Sequence, residues 1–113
     1  MDQLQRQQQR RDQLDAELRE IQKNALGYQH TYFEPTEKTR LQYDALVYKK
    51  LAPSIRRANN RAYGIFDSWQ ILWISKDPET IVPRLIEEHF AYCSPGQPYM
   101  SDNLHHFPFT IYY

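Results

Sequence analysis

Residues 2–24 contain neither glycine nor proline and are rich in Gln, Leu, Glu, Arg and Ala. No other stretch of the chain restricts its conformation as tightly. These residue types are good helix formers, so the segment is predicted to be one continuous helix. Leu14, Leu18 and Ile21 recur at helical spacing, with Leu4 further back. The stripe is narrow, so the helix must lie on something else to bury it. No heptad pattern lasts for three or four repeats, which argues against a self-standing coiled coil.

What it could lie on is limited by size. The chain has 113 residues, room for one domain with extensions. Apolar residues make up 41% and aromatic ones 14%, which predicts a small core rich in rings. The longest apolar run, WQILWI at 69–74, is far too short to span a membrane. Cys93 is the single cysteine, which excludes an intramolecular disulfide framework and a cysteine-based zinc site and suits a reducing compartment. The N-terminus has no apolar segment of the secretory kind. Its acidic residues are wrong for a transit peptide, so import into an organelle would use no recognisable cleaved presequence.

The 14 basic and 14 acidic residues cancel, so no global field points to nucleic acid or membrane. Locally they do not cancel. Residues 37–61 carry seven basic and two acidic residues, and residues 76–102 carry two basic and five acidic. A basic face and an acidic face are therefore expected on one small body.

Beyond Gly27, which can end the first helix, Tyr28, Tyr32 and Phe33 form an aromatic linker up to Pro35. Leu41, Ala45, Tyr48, Ala52 and Ile55 repeat at helical intervals, and Pro53 should interrupt the run. Helices are predicted over 37–51 and 54–74. A third is predicted over about 78–92, with Asp77 as N-cap, Pro78 at its first position and Pro83 as a kink. No segment shows the strict alternation of a strand. The expected fold is all-α, with three divisions: an N-terminal helix and aromatic linker (1–35), a three-helix core (36–93) and an extended aromatic C-terminal tail (94–113).

Catalytic chemistry is hard to assemble from these residues. Glu87 and Glu88 are sequence neighbours, so on a helix they diverge. His89 and Cys93, at i and i+4, share a helical face, but two ligands do not make a metal site. His105 and His106 sit in the tail, where partner-facing or hydrogen-bonded roles are commoner. The three glycines form no phosphate-binding loop. The expectation is a protein with no catalytic residues and no bound metal. The basic cluster Lys49, Lys50, Arg56, Arg57 and Arg61 could meet phosphates of RNA, an anionic surface or an acidic protein.

The stretch TRLQYDALVYKKL at 39–51 resembles the first helix of the LYR-motif family, small mitochondrial three-helix modules, through Arg40, Leu41, Ala45 and Leu46. The tripeptide itself reads Leu41-Gln42-Tyr43 here, with Asp44 where the family has its arginine. Phe66 is similar to the family's second-helix phenylalanine, and Asp77 to the aspartate that opens the third. Glu87, Glu88, Phe90, Tyr92, Gln97, Pro98 and Tyr99 resemble the exit from the third helix in the LYR-type accessory subunits of the beta subcomplex of mitochondrial complex I (NADH:ubiquinone oxidoreductase).

That resemblance implies a non-catalytic accessory subunit on the matrix side of the mitochondrial inner membrane, supporting the membrane arm. It implies that Arg40, Lys49, Lys50, Arg56, Arg57 and Arg61 dock the acidic mitochondrial acyl carrier protein. The carrier's phosphopantetheine-linked acyl chain would be lined by Leu41, Ala45, Ile55 and Phe66. Phe90, Tyr92, Gln97, Pro98, Tyr99, Phe107 and Phe109 would press on neighbouring complex I subunits. Two alternatives are a basic helical RNA-binding or ribosomal module, and an LYR-type assembly factor or subunit of another mitochondrial complex.

Overall fold

Helix α1 (Gln3–Leu26) forms where its composition predicts. It ends at Gly27, whose φ of 81° is left-handed and whose amide donates to the Lys23 carbonyl at 2.7 Å. Leu14, Leu18 and Ile21 are all buried, so the narrow stripe does lie against a partner. That partner is a β-sheet. The computed structural model describes residues 3–51, 57–58, 61–62 and 68–113, with the backbone alone for 3–7, 57–58 and 61–62.

The expected all-α bundle is therefore corrected to an α/β fold. After α1 come strands β1 (Thr31–Phe33), β2 (Ala45–Lys50), β3 (Arg57–Ala58), β4 (Arg61–Ala62) and β5 (Ser68–Ser75). Helix α2 (Val82–His89) follows, then β6 (Cys93–Pro95), β7 (Tyr99–Ser101) and β8 (Leu104–Tyr112). The main sheet runs β1-β2-β5-β8-β6, with β7 on the same side of β8 as β6; β3 and β4 pair separately. Only the β1–β2 pair is parallel.

The segment expected as helix 37–51 is a loop followed by β2, and the end of the expected helix 54–74 is β5. The reason lies in WQILWI. Trp69, Ile71 and Trp73 point to one side of the sheet and join the buried cluster with Leu14, Leu18, Val82 and Ile86. Leu72 and Ile74 point to the other side by the two-residue period of a strand. Apolar residues on both faces erase the alternation that marks a strand, and the run then reads like a buried helix.

The tail is corrected too. Residues 94–113 are not coil on the outside but β6, β7 and β8, and β8 lies between β5 and β6. Phe107, Phe109 and Ile111 alternate with His106, Pro108 and Thr110, and the first set faces the helices. Asp102 and Asn103 both adopt positive φ (53° and 62°), the two-residue turn that closes hairpin β7–β8. Pro108 is tolerated inside the sheet because of its register. Its carbonyl accepts from Gly96 N, so its missing amide also faces the β6–β7 side, where that edge is broken at Gln97-Pro98. No bond to β5 is lost.

The last helix is shorter than the expected 78–92. Asp77 is not its cap but accepts from Glu79 N at 2.9 Å in a preceding turn, and Pro83 sits in the first helical turn, where its absent amide costs nothing.

A buried glutamine joins the first helix to the sheet. The Gln22 side chain accepts from His30 N (2.7 Å) and Thr31 Oγ1 (3.0 Å) and donates to the Asp44 carbonyl (3.1 Å). Asp15 does the same about two turns earlier, accepting from Tyr48 OH and from Arg19, each at 2.6 Å. Asp44 closes the far end, taking Ser75 Oγ at 2.8 Å and Lys76 N at 2.9 Å.

Candidate functional site

Two places on the described surface could carry function: a cleft beside the helices and the sheet face turned away from them. The cleft has a volume of about 410 Å³ and is walled by Arg10 and Glu17 of α1, His89, Tyr92, Tyr112 and Tyr113. Glu17 lies at its centre. Its Oε1 is 3.1 Å from His89 Nε2, and its Oε2 accepts the Tyr113 hydroxyl. Phe90 packs edge-on between His89 and Tyr113.

The polar groups of this cleft are tied to one another. Both oxygens of Glu17 are engaged. Burial, the hydrogen bond to Glu17 and the carboxylate charge hold the Tyr113 phenol well above its ordinary pKa, against the opposing charge of Arg10. The Cys93 thiol is likewise pushed up, by burial and by Glu87, so it stays a thiol. His89 turns to Glu17 rather than forming the His89–Cys93 pair that helical spacing suggested. Glu88 is tied to Arg84 at 3.0 Å. His106 stacks on Tyr99 at 4.8 Å, with Nδ1 3.0 Å from the Leu104 carbonyl. Among the described residues no three His, Cys, Asp or Glu side chains gather as metal ligands. The cleft is a clasp: one carboxylate ties α1 to the end of α2 and the end of β8.

The other face is different. Both helices pack on the side that carries Leu46, Tyr48, Trp69, Ile71, Trp73, Phe109 and Ile111. On the opposite side, register places Tyr32, Val47, Leu72 and Pro108 in one row across four strands. All four are half-buried, and none belongs to the core cluster. The next row along is polar, with Lys49, Gln70, Thr110 and Ser94. At the β1 end, the Tyr32 hydroxyl accepts from Gln42 N at 3.0 Å, which pins the 36–44 loop beside the row.

Both edges of this sheet are blunted. His30 O and Glu34 N bond to β2, so Thr31 and Phe33 present their backbone outward, and Arg19 Nη2 covers the Thr31 carbonyl at 3.0 Å. On the other edge Pro95 removes an outward amide, and Pro98 follows between β6 and β7.

Of the residues expected to dock a carrier, the described side chains of Arg40, Lys49 and Lys50 do not share one face. Arg40 is exposed in the loop, and Lys49 is exposed on the helix-free side. Lys50 points to the other side, with Nζ 5.9 Å from the Trp69 ring centre. Arg57 and Arg61 fall on two strands of a hairpin rather than one helical face, and Arg56 lies outside the described residues. Of the expected channel lining, Leu41 is in the loop and Ala45 is buried at the start of β2, while Ile55 and Phe66 lie outside the described residues. Of the expected subunit contacts, Phe90 and Phe109 are core residues and Phe107 packs on the core; their rings are consumed within the chain. Tyr92, Gln97, Pro98 and Tyr99 are exposed.

Sequence reasoning missed the Tyr32–Val47–Leu72–Pro108 row and the Glu17 clasp. The row had a weak signal in the alternation of 106–111; the clasp had none, since Glu17 lies 72 residues from His89 and 96 from Tyr113. The chain matches no family model, no curated protein and no solved structure. Where the LYR resemblance implies its first helix, residues 39–51 form a loop and β2.

Proposed function

We propose that this chain is a non-catalytic protein-interaction module that docks through the helix-free face of its sheet. The observation that carries this reading is the half-buried row Tyr32–Val47–Leu72–Pro108, an apolar strip on the side that neither helix covers. A sheet with helices on one side alone presents its other side for packing. The blunted edges favour the face over strand addition as the route of association. The raised pKa values of Tyr113 and Cys93 disfavour a nucleophilic role for either. The LYR resemblance implies a non-catalytic accessory role; the non-catalytic reading is proposed here for a different surface.

The test is site-specific photo-cross-linking in the producing cell, with the cross-linker at position 72 or, for comparison, at position 88 on α2. A discrete adduct from position 72, reconstituted with the purified partner and weakened by Val47→Glu, is the expected outcome. Adducts from position 88 with none from 72 would sink the reading.

A further inference from the structure

We infer that the occupant of the helix-free face is a second copy of this chain, packed face to face in a two-fold dimer. This inference rests on the docking reading above and names its partner. Charge is the first argument. An isologous interface brings one patch against itself, so its rim needs both signs, whereas a rim of one sign calls for a different partner. The loop pinned beside Tyr32 exposes Glu34 and Glu37 together with Lys38 and Arg40, and Lys49 stands in the adjoining row. Both signs are present within one short segment. The chain's formal net charge of zero adds no repulsion between copies.

Area is the second. Four strands about 4.8 Å apart, of three, six, eight and nine residues at about 3.3 Å each, define a face of about 400 Å². Two such faces together bury about 800 Å², the size of a weak, transient interface. A dimer of this size is expected to be reversible and dependent on concentration. Leu72, on an inner strand of the row, would lie near the two-fold axis, at the roughly 10 Å separation of stacked sheets.

The full chain at concentrations from about 1 to 500 µM, followed by sedimentation velocity, decides the matter. The expected result is a monomer–dimer equilibrium. Leu72→Glu should weaken it at least about tenfold by placing a charge in the interface, while Glu88→Ala, on α2 across the sheet, should leave it unchanged. Circular dichroism of Leu72→Glu establishes that it folds. If it does not, amide NMR of the unmutated chain replaces it: Val47, Leu72 and Thr110 should shift on dilution, and Arg84 to Glu88 should not. A monomer throughout the range overturns the inference. If position 72 then cross-links a different protein in cells, the docking reading stands and only the second copy falls. If it cross-links nothing, both fall.

Discussion

The Gly96 amide donates to the Pro108 carbonyl at 2.8 Å, and a Cβ built on Gly96 would meet the Pro108 ring at 3.0 Å. The two residues fit because one has no side chain and the other no amide hydrogen. Gly96 continues the contact of β6 along β8 at the point where Pro108 cannot donate. Gly96→Ala should therefore destabilise the fold by about 1–2 kcal/mol, since a proline ring has little freedom to move aside. Urea denaturation of the two proteins measures it; an unchanged midpoint would mean that the contact is slack.

Gln22 is fully buried and holds three polar groups from two other segments. Gln22→Leu keeps the volume but strands His30 N, the Asp44 carbonyl and the Thr31 hydroxyl. A loss of about 2–4 kcal/mol is expected, larger than for Gly96→Ala. Hydrogen exchange at His30 should rise with it. Protection retained there would show that another acceptor takes over.

Tyr48 and Tyr113 both have phenol pKa values raised by burial and by hydrogen bonds to Asp15 and Glu17 respectively. The folded state thus keeps protons that the unfolded chain releases near its ordinary tyrosine pKa of about 10. This contribution is complete below about pH 10 and is lost as pH rises beyond it. Thermal midpoints should be level around pH 8 to 9 and fall above about 10. Tyr48→Phe and Tyr113→Phe should each flatten that fall, and a slope identical to the parent would remove these tyrosines as its source.

If residues 94–113 were the extended tail expected from the sequence, deleting 103–113 would impair assembly more than folding. The structure reverses this expectation. Those residues contain β8, the partner of β5 on one side and of β6 and β7 on the other. The deletion should abolish the cooperative transition altogether, leaving Trp69 and Trp73 exposed to solvent. Tryptophan fluorescence checks this, and a blue-shifted emission in the truncated chain would contradict it.

How much of this was legible depended on whether a residue's neighbours were near it in sequence. Helix α1 was readable because Leu14, Leu18 and Ile21 lie within two turns of one another and nothing interrupts them. Strand β5 was not, since Leu72 and Ile74 on one side and Trp69, Ile71 and Trp73 on the other blur its period. Strand β8 kept its alternation, yet Pro108 counts against a strand unless the register that spares its missing amide is already in view. The asymmetry of charge was legible as an amount but not as a shape. The basic half is divided among a loop, two sides of β2 and a hairpin. The candidate site itself is a row across four strands, and each of its members comes from a different segment.

The place of β8 also has a consequence for how the chain is made. Strand β5 leaves the ribosome some thirty residues ahead of the strand that will flank it. Until residue 112 has emerged, the sheet is open beside its two tryptophans, and α2 has only half a surface to rest on. Synthesis at about 5–20 residues per second keeps that gap exposed for seconds. During that interval the nascent chain is a natural client for chaperones that hold apolar strands. The sheet cannot be completed before its last strand has been made.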